Sequence, residues 1–448
     1  MKNPTPSLAL FLSLAACLQA NPLTYHHITV EETPERVIRV TAVAPSSAPR
    51  WSREVVQTPF VWDRPSPVPF FREPIPFVIA PDDPAQPFYP HNHLPSVAWL
   101  PNGDLMAVWY STVKERDPEL TVLSSRLRAG KETWDPSSEF FKAENHNMHG
   151  TSIFHDGRGT LYHFNGMGRD GVPGWNELAL LGRSSTDNGV RWTEPFIVAP
   201  EFSRRHLVIS GTRMTSDGML IVNADAAPTH DGGTALHLST DGGKTWSDPG
   251  KGQPLPKVAE GAVGRGTIAG IHAKLALVTD DHWVALGRGD DIDGHMPMSV
   301  SRDRGQTWTY SATPFPPIRG GQRLVLLKLS EGPLVVFSFT NTDRKNPRVG
   351  GMEFRRADGS TFTGHGLFAA LSYDEGKTWP VRKLITPAPG VYDGGAWTGE
   401  FTASADNAEH AGYLAGTQTP DGVVHLLSSR LHYRFNLPWL LQPAPSTR

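Results

Sequence analysis

The fold is decided by one eight-residue stretch, Ser239-Thr240-Asp241-Gly242-Gly243-Lys244-Thr245-Trp246, because its pattern S-x-D-x-G-x-x-W recurs along the chain. Three further copies occupy residues 185–192, 301–308 and 372–379, and a degenerate fifth copy spans 124–134. The four intact copies recur about every 54 to 71 residues, the length of a four-stranded β-sheet with its loops. In each copy the Asp accepts N–H groups of a hairpin turn, the Gly takes a positive φ and the Trp packs beneath. The repeats therefore predict an all-β protein built from similar sheets.

The composition of the chain agrees with this prediction. Its 448 residues include 43 Gly and 40 Pro, which favour short strands joined by tight turns over long helices. The chain carries 42 Lys and Arg against 45 Asp and Glu, a formal net charge of −3, whereas binding to nucleic-acid phosphates needs a basic excess. With 38% hydrophobic residues it can bury a core. We expect a soluble globular protein that does not bind nucleic acid.

The N-terminus has the features of a secretory signal. An apolar run over residues 8–18 follows a basic residue and is too short to span a bilayer. Cys17, the one cysteine of the chain, ends the sequence L-A-A-C, which resembles a bacterial lipobox. The alternative is an ordinary signal peptide cleaved after Ala20. We expect residues 1–20 to be a signal peptide and the protein to be exported, as a periplasmic protein, an outer-membrane lipoprotein or a secreted protein, with membrane attachment only through a lipidated Cys17.

A second repeat consists of two apolar strands around a short turn. Its turns are Asn102-Gly103, Asp156-Gly157, Asp217-Gly218, Asp280-Asp281, Glu331-Gly332 and Asp421-Gly422. Each copy supplies the two inner strands of one sheet, and an S-x-D-x-G-x-x-W turn then joins the third strand to the fourth. Six copies predict a six-bladed β-propeller of four-stranded antiparallel blades.

The domain organisation follows from these repeats. The last unit supplies only three clear strands, so we expect the N-terminal extension, residues 21–88, to complete that sheet and close the ring. The propeller itself is predicted over residues 89–442. The alternative of seven blades needs a whole extra unit between residues 25 and 79, where Pro is frequent and no S-x-D-x-G-x-x-W turn occurs.

The S-x-D-x-G-x-x-W runs resemble the Asp-boxes of bacterial neuraminidase repeats, and the chain from about Tyr89 onward resembles the sialidase superfamily. This resemblance implies a six-bladed propeller that acts on glycans. In that superfamily the boxes lie at the outer hairpins of the blades, which implies that they are scaffold. The chemistry is therefore expected at the centre of the ring.

Residues at or just before the starts of the inner strands are expected to face this central funnel. Every position in the set is polar, whereas an apolar plug would have Val or Leu there. Convergent His, Arg and Tyr side chains predict a polar ligand site. The set contains His91, His93, His146, His149, Arg205, His206, Arg265, His272, Gln322, Arg323, Glu409, His410 and Tyr413.

The resemblance also implies roles for individual residues. Sialidases hold a substrate carboxylate with three arginines and use a Tyr paired with a Glu as nucleophile, with an Asp as acid/base. Tyr413 resembles the nucleophile at the start of the last blade, and Arg288 resembles the second arginine. Asp117 is similar in place to the acid/base aspartate, and Glu115 and Glu119 compete for that role.

Three positions depart from the sialidase pattern. His93 stands where the first arginine is expected, and His272 stands where the glutamate that polarises the tyrosine is expected. His365 occupies the place of the third arginine; alternatively, Arg344 or Arg348 supplies this arginine from a loop. One guanidinium can still bind a carboxylate with two hydrogen bonds, but the selectivity for a carboxylate substrate that three arginines supply is lost.

These considerations define the predicted site. The catalytic candidates are Tyr413, Asp117, His93 and His272. The substrate-binding candidates are Arg288, Arg323, His149, Arg265, His365 and His410. Trp175, Trp397 and Tyr392 lie in Gly-rich loops and are candidates either for stacking on sugar rings or for buried packing. No metal ion or other cofactor is expected.

A funnel with these side chains suits an exo-acting, sialidase-like glycoside hydrolase for a terminal acidic or neutral sugar. It also suits elimination at a uronic acid, in which an Arg neutralises the carboxylate while a His or Tyr abstracts the C5 proton. Propeller lyases and rhamnosidases with a central His are similar in this respect. A third alternative is a glycan-binding lipoprotein without catalysis. We expect a glycan or oligosaccharide substrate and a monomeric protein.

Overall fold

The computed structural model describes residues 21–226, 232–340, 343 and 345–446. The predicted signal peptide, Cys17 and Arg344 lie outside the described residues. Regular structure in the described part is almost all strand, and its helices are a 3-10 turn, Arg50–Ser52, and a single α-helical turn, Leu437–Leu440. Neither of these short helices has the length or the apolar character needed to traverse a membrane.

Six four-stranded sheets form a closed ring, which confirms the predicted six-bladed β-propeller. From the axis outward, blade 1 contains His91–Trp99, Leu105–Thr112, Thr121–Leu127 and Ser138–Ala143, and blade 2 contains Thr151–His155, Leu161–Met167, Leu178–Ser185 and Phe196–Ser203. Blade 3 contains Ile209–Met214, Leu220–Asp225, Thr234–Ser239 and Thr267–Ile268, and blade 4 contains Ile271–Leu277, Trp283–Arg288, Pro297–Ser301 and Thr307–Ala312. Blade 5 contains Val325–Lys328, Leu334–Phe339, Leu367–Ser372 and Val381–Leu384, and blade 6 contains Ala415–Gln418, Val423–Leu427, Leu431–Asn436 and Phe71–Pro76. The inner strands of successive blades contact one another around the whole ring, including blade 6 with blade 1.

Shorter elements decorate the ring. Val263–Arg265 is an additional strand on the outer edge of blade 4, and three two-stranded pairs lie between or beside blades. These pairs are Gln322–Arg323 with Gly412–Tyr413, Met352–Arg355 with Thr361–Gly364, and Gly390–Asp393 with Glu400–Ala403.

The N-terminal extension contributes to two blades. Phe71–Pro76 pairs antiparallel with Leu431–Asn436, and so supplies the outer strand of blade 6. Upstream, His27–Glu32 and Val37–Val43 form a hairpin that adds to the outer edge of blade 1. The described part of the extension thus enlarges existing blades and forms no seventh one.

The blade strands bury both of their faces because each blade is stacked between two neighbours. Leu105–Thr112 and Leu334–Phe339 are buried along their whole length. This explains why their sequences are continuous apolar runs and not alternations of apolar and polar residues. The same packing fixes the inner strands, and with them the side chains at their starts.

In blades 2, 4 and 5 the S-x-D-x-G-x-x-W turn closes the hairpin between the third and fourth strands, and in blade 3 it returns the chain to a bridge between Ser247 and Leu238, upstream of the fourth strand. In the third copy, Ser301 Oγ donates to Asp303 at 2.8 Å and accepts the N–H of Gly305 at 2.8 Å. Asp303 also accepts the N–H of Thr307 at 2.9 Å, and Trp308 Nε1 donates to the Gly305 carbonyl at 3.1 Å. These bonds stabilise the outer part of the blade.

Candidate active site

Tyr413 lies where the inner strands begin, at one end of the propeller axis. Its short strand, Gly412–Tyr413, pairs in parallel with Gln322–Arg323 from the start of blade 5. This pairing holds Arg323 beside Tyr413, with the guanidinium carbon 6.0 Å from the centre of the phenol ring. Gly412 has a φ of 115°, and a Cβ there would crowd the side chain of Ser429, so the position favours glycine.

Two groups bind the hydroxyl of Tyr413. His272 Nε2 lies 3.1 Å from the phenol oxygen, and Arg288 Nη1 donates to it at 2.9 Å. The same Arg288 nitrogen donates to the carbonyl of Gln322 at 3.1 Å, which fixes the guanidinium. The phenol oxygen is therefore placed between a base and a permanent cation.

Asp225 sets the orientation of His272. Its Oδ2 lies 2.6 Å from His272 Nδ1, and its Oδ1 accepts the backbone N–H of His272 at 2.5 Å. The nearby carboxylate favours a proton on Nδ1, which leaves the lone pair of Nε2 facing the Tyr413 hydroxyl. His272 adopts a φ of 52°, which a residue other than glycine rarely takes, and in this conformation both its ring and its amide reach one carboxylate.

Burial sets the protonation of this pair. It lowers the pKa of His272 to about 3, although Asp225 acts in the opposite direction. Burial would raise the pKa of Asp225, but the contacts with His272 outweigh it and hold that pKa below its usual value. At neutral pH the ring is therefore neutral and the carboxylate charged, so Nε2 of His272 has a free lone pair for the hydrogen bond of the Tyr413 hydroxyl.

His93 packs on the face of Tyr413 and is completely buried. The two ring centres are 3.9 Å apart. His93 Nδ1 lies 3.0 Å from the hydroxyl of Ser429, which also accepts the N–H of Tyr413 at 3.3 Å. Burial lowers the pKa of His93 well below its usual value. Because Nε2 has no hydrogen-bond partner among the described residues, the ring offers one unpaired nitrogen beside Tyr413.

A carboxylate cluster adjoins this group. Glu115 accepts the hydroxyl of Tyr110 at 2.5 Å and lies 3.1 Å from His91 Nε2. Burial would raise the pKa of Glu115, but the hydrogen bond with His91 and the neighbouring histidine rings outweigh it and lower that pKa. The ring of Tyr110 lies 5.9 Å from that of His93, so the cluster continues the wall that contains Tyr413.

Two tryptophans flank the histidines. Trp397 meets His91 edge-on with ring centres 5.5 Å apart, and Trp175 lies 5.6 Å from His149. Trp397 is 38% exposed and has a φ of 68°, an uncommon conformation for a bulky residue. An exposed indole next to polar groups is suited to packing against the apolar face of a sugar ring.

Residues 103–426 match the BNR repeat-like domain family. The chain belongs to that family. The match covers most of the blades and all four intact Asp-boxes, which confirms the relationship predicted from the repeats. No curated protein sequence matches this BNR-repeat protein.

Solved structures similar to this BNR-repeat protein include sialidases. The NanB sialidase from Streptococcus pneumoniae is 13% identical, with a TM-score of 0.53 over 81% of this chain and 70% of that chain. The Hadza microbial sialidase Hz136 is 17% identical, with a TM-score of 0.51 over 78% of this chain and 66% of its own. A protein of unknown function from Dyadobacter fermentans is 15% identical, with a TM-score of 0.52 over 82% of this chain and all of its own. These similarities establish a common fold.

The structure of this BNR-repeat protein brings several predicted site residues together. Tyr413 contacts His272, Arg288 and His93 directly, and Arg323 lies beside its ring. His149 joins the same wall through Tyr110, whose ring centre lies 4.8 Å away. The catalytic and binding roles of these residues stay predictions.

The three acidic candidates of blade 1 have different surroundings. Asp117 is half-buried, its backbone carbonyl accepts from Asn147 at 3.0 Å, and its carboxylate makes no hydrogen bond or ion pair with the residues described. Glu119 accepts the Thr112 hydroxyl and the Val113 N–H within its own loop. Glu115 is the acid whose carboxylate reaches the histidine cluster.

Three substrate-binding candidates lie away from Tyr413. Arg265 is exposed on Val263–Arg265, which pairs with the outermost strand of blade 4; counting back from the turn misplaced it because this additional strand and the fourth strand of blade 3, Thr267–Ile268, precede the inner strand of blade 4. His365 is half-buried, and its Nδ1 lies 2.7 Å from the Gly350 carbonyl. His410 is buried, and its carbonyl accepts from Gln322 at 3.0 Å.

Two other loop candidates have partners of their own. Arg348, the arginine expected to reach in from a loop, forms an ion pair with Asp406 at 3.1 Å. Tyr392 stacks on Phe401 in an outer hairpin, with ring centres 5.7 Å apart. Neither contact involves the group around Tyr413.

The most important residue that the sequence reasoning missed is Asp225. It ends the strand Leu220–Asp225, which is buried throughout. An Asp at the end of an apolar strand is uncommon, because a buried carboxylate needs a partner. This feature of the sequence could have indicated that Asp225 binds another polar side chain. Ser429 was also missed, and nothing in its local sequence distinguishes it.

Proposed function

We propose that this protein is a carbohydrate-active enzyme that cleaves a glycan with Tyr413 as its reactive group. The observation that carries the proposal is the series of close contacts from the Asp225 carboxylate through the His272 ring to the Tyr413 hydroxyl, with Arg288 on the same oxygen. A buried, oriented base and a cation on one phenol have no evident use in holding a propeller together. They are the arrangement that activates a nucleophile.

In the proposed reaction, His272 Nε2 takes the phenolic proton as the oxygen of Tyr413 bonds to the anomeric carbon. The Asp225 carboxylate stabilises the imidazolium that forms, and Arg288 stabilises negative charge on the phenol oxygen. The glycosidic bond breaks, and the leaving oxygen takes its proton from the imidazolium of His272. Water then attacks the glycosyl–tyrosine bond and gives a proton to His272, the sugar is released, and His272 returns this proton to the oxygen of Tyr413.

The site favours a terminal acidic or neutral sugar other than sialic acid. The sialidase pattern uses three arginines on the substrate carboxylate, and here Arg288 is the guanidinium at the phenol oxygen while His93 replaces another. Each charge-assisted contact contributes roughly 1.5 to 3 kcal/mol, so the loss of such contacts lowers selection for a sialic acid by several kcal/mol. Neutral histidines instead supply hydrogen bonds to uncharged hydroxyl groups.

Elimination at a uronic acid is a second candidate, favoured by one observation. His93 has an unpaired nitrogen beside Tyr413, and a tyrosine with a neutral histidine and an arginine is the set needed to remove a C5 proton next to a carboxylate. Elimination forms a carbon–carbon double bond conjugated with the carboxylate, which absorbs ultraviolet light, whereas hydrolysis does not.

The test is a screen of aryl glycosides, sialosides and uronate-containing oligosaccharides, monitored for reducing ends and for ultraviolet absorbance. We expect turnover of a non-sialic substrate, and its loss in Tyr413→Phe. Tyr373→Phe is the control, because Tyr373 is 59% exposed in an Asp-box turn. Turnover retained by Tyr413→Phe overturns the proposal, as does efficient release of sialic acid by a His93→Ala variant. Glycan binding without turnover supports the non-catalytic alternative.

A further inference from the structure

A small cavity lies on the propeller axis directly beneath the candidate active site. Lys274 and Ala415 line this cavity. They lie two residues after His272 and Tyr413 of the candidate active site. All six blades contribute to its lining, and its volume is about 40 Å³. The cavity holds a water molecule or a single small ion and is too small for a sugar.

The lining is cationic and rich in hydroxyl groups. It includes Arg213, Lys274 and Arg323, together with Ser96, Thr151 and Thr212. Hydroxyl, ammonium and guanidinium groups are all hydrogen-bond donors. The hydroxyl groups already have partners, Ser96 with the Ile153 carbonyl, Thr151 with His163 and Thr212 with Ser152, so the donors left for the cavity are those of the three cations.

The three cations are bound to carbonyl groups and not to carboxylates. Arg213 donates to the carbonyls of Thr212 at 2.8 Å and Leu326 at 3.4 Å. Lys274 Nζ donates to the Ser210 carbonyl, and Arg323 donates to the Ile209 carbonyl at 3.2 Å. Carbonyl dipoles solvate a cation but do not neutralise it.

The charge of this cluster is not balanced by the residues that surround it. Asp225 is the one carboxylate that the described chain brings near Lys274 and Arg323, and because His272 is neutral its single negative charge acts on these cations but offsets only one of the three. Arg323 is completely buried, whereas Arg213 and Lys274 are half-buried, so it is above all the charge of Arg323 that is held out of water at a cost. In addition, Arg323 Nε is buried and has no hydrogen-bond acceptor among the described residues. An unmatched donor and excess positive charge in one cavity are the features of an anion site.

We propose that the axial cavity binds one small inorganic anion of the halide class, with Lys274, Arg213 and Arg323 as its cationic ligands. A bound halide balances part of the charge and accepts hydrogen bonds from the cationic side chains, whose Arg323 Nε is otherwise unmatched. Because Arg323 also stands beside the ring of Tyr413, the anion helps to hold the floor of the site in place. The alternative is a deprotonated Lys274 beside water, since burial and the two arginines lower its pKa well below the usual value.

Bromide crystallography tests the proposal on the wild-type protein. Crystals grown in sodium bromide are expected to give an anomalous difference peak in the cavity, within contact distance of Lys274 and Arg213. A map with no peak there overturns the proposal and favours the neutral lysine with water. This measurement depends on no variant and on no assumption about enzymatic activity.

Thermal unfolding provides the second measurement. In chloride or bromide, compared with gluconate at equal ionic strength, we expect a saturable rise in Tm on the order of 2 °C. Lys274→Met removes the charge at nearly constant side-chain length and is expected to abolish the rise. Lys257→Met, at an exposed lysine, is the control and should keep it. An equal rise in gluconate, or a rise that persists in Lys274→Met, identifies a general salt effect and overturns the proposal.

Discussion

The carboxylate of Asp225 lies 2.6 Å from Nδ1 of His272, and this contact determines which ring nitrogen faces Tyr413. The two residues come from neighbouring blades, Asp225 from the end of the second strand of blade 3 and His272 from the inner strand of blade 4. The packing of one blade on the next therefore controls the tautomer of the proposed base. A change at Asp225 is expected to act on the chemistry while leaving substrate contacts intact.

Asp225→Asn is the sharpest test of this relationship. An amide at this position retains the shape but donates as well as accepts, so it permits the tautomer in which Nε2 of His272 carries the proton. We expect kcat to fall by about 10² to 10⁴ with KM little changed, as for other oriented imidazole bases. Steady-state kinetics and a circular dichroism spectrum check the prediction. A variant with wild-type kcat contradicts the role of the pair.

The neighbouring aromatic side chain is expected to affect binding instead. Trp397→Ala removes the exposed indole beside His91, and we expect KM to rise about two- to tenfold, equivalent to roughly 0.5 to 1.5 kcal/mol of stacking. Trp397→Phe should restore most of the affinity because it retains an aromatic face. If Trp397→Ala lowers kcat without changing KM, the residue positions the loop and does not bind the sugar.

The Asp-boxes are expected to contribute to stability alone. Ser301→Ala leaves the N–H of Gly305 without its acceptor in a buried turn, at a cost of about 1 to 3 kcal/mol in the free energy of unfolding. Denaturant unfolding measures this loss, and turnover at a temperature where the variant is folded should be unchanged. A stable variant that has lost activity contradicts the scaffold role.

The sequence predicted the six blades because the relevant information is local. The turn at Asp241 and its three counterparts each contain the hydrogen-bonding groups of one hairpin, and apolar runs such as Leu334–Phe339 mark strands buried on both faces. These features can be recognised without knowing which distant residues are in contact. For this reason the number of blades could be predicted from the sequence, and the structure confirms it.

The site depends on relations between blades, and the sequence predicts these less completely. Alignment of the repeats places Tyr413 and His272 at equivalent strand starts, and the structure brings them within 3.1 Å. Asp225 lies at the far end of a different strand, so no strand-start alignment includes it. Arg265 was misplaced for another reason, because it belongs to an additional strand, Val263–Arg265, on the outer edge of blade 4.

The prediction for localisation rests on the proposal that Cys17 is lipidated. We expect the mature protein to fractionate with membranes, because each buried methylene of an attached acyl chain contributes about 0.8 kcal/mol to membrane affinity. Cys17→Ser should release the protein or block its processing. Wild-type protein that is freely soluble, with an N-terminus at Asn21, contradicts lipidation.

The final prediction concerns Glu409, which is completely buried near the start of blade 6. Its carboxyl accepts the hydroxyl of Tyr433 at 2.8 Å. Burial raises its pKa from 4.5 to about 8, against the smaller opposing effect of the hydrogen bonds from Tyr433 and two other hydroxyl side chains. The folded protein thus holds a proton at neutral pH that the unfolded chain has released.

The sign of the pH dependence follows from this difference in bound protons. Below about pH 4.5 both states are protonated, and as pH rises toward 8 the unfolded state gains stability by ionising, so the free energy of unfolding falls by up to about 1.4 kcal/mol per pH unit. Glu409→Gln removes this contribution, so relative to wild type it should become progressively more stable between pH 5 and 8. Buried neutral histidines such as His237 make the free energy of unfolding rise with pH below about pH 6.5. Their contribution is the same in wild type and in Glu409→Gln, so it cancels when the two proteins are compared. Urea unfolding of wild type and Glu409→Gln between pH 5 and 8 measures this difference in the free energy of unfolding. Glu353→Gln, at an exposed position, is the control. If the free energies of unfolding of wild type and Glu409→Gln change in parallel with pH, Glu409 is ionised in the folded protein and the prediction is wrong.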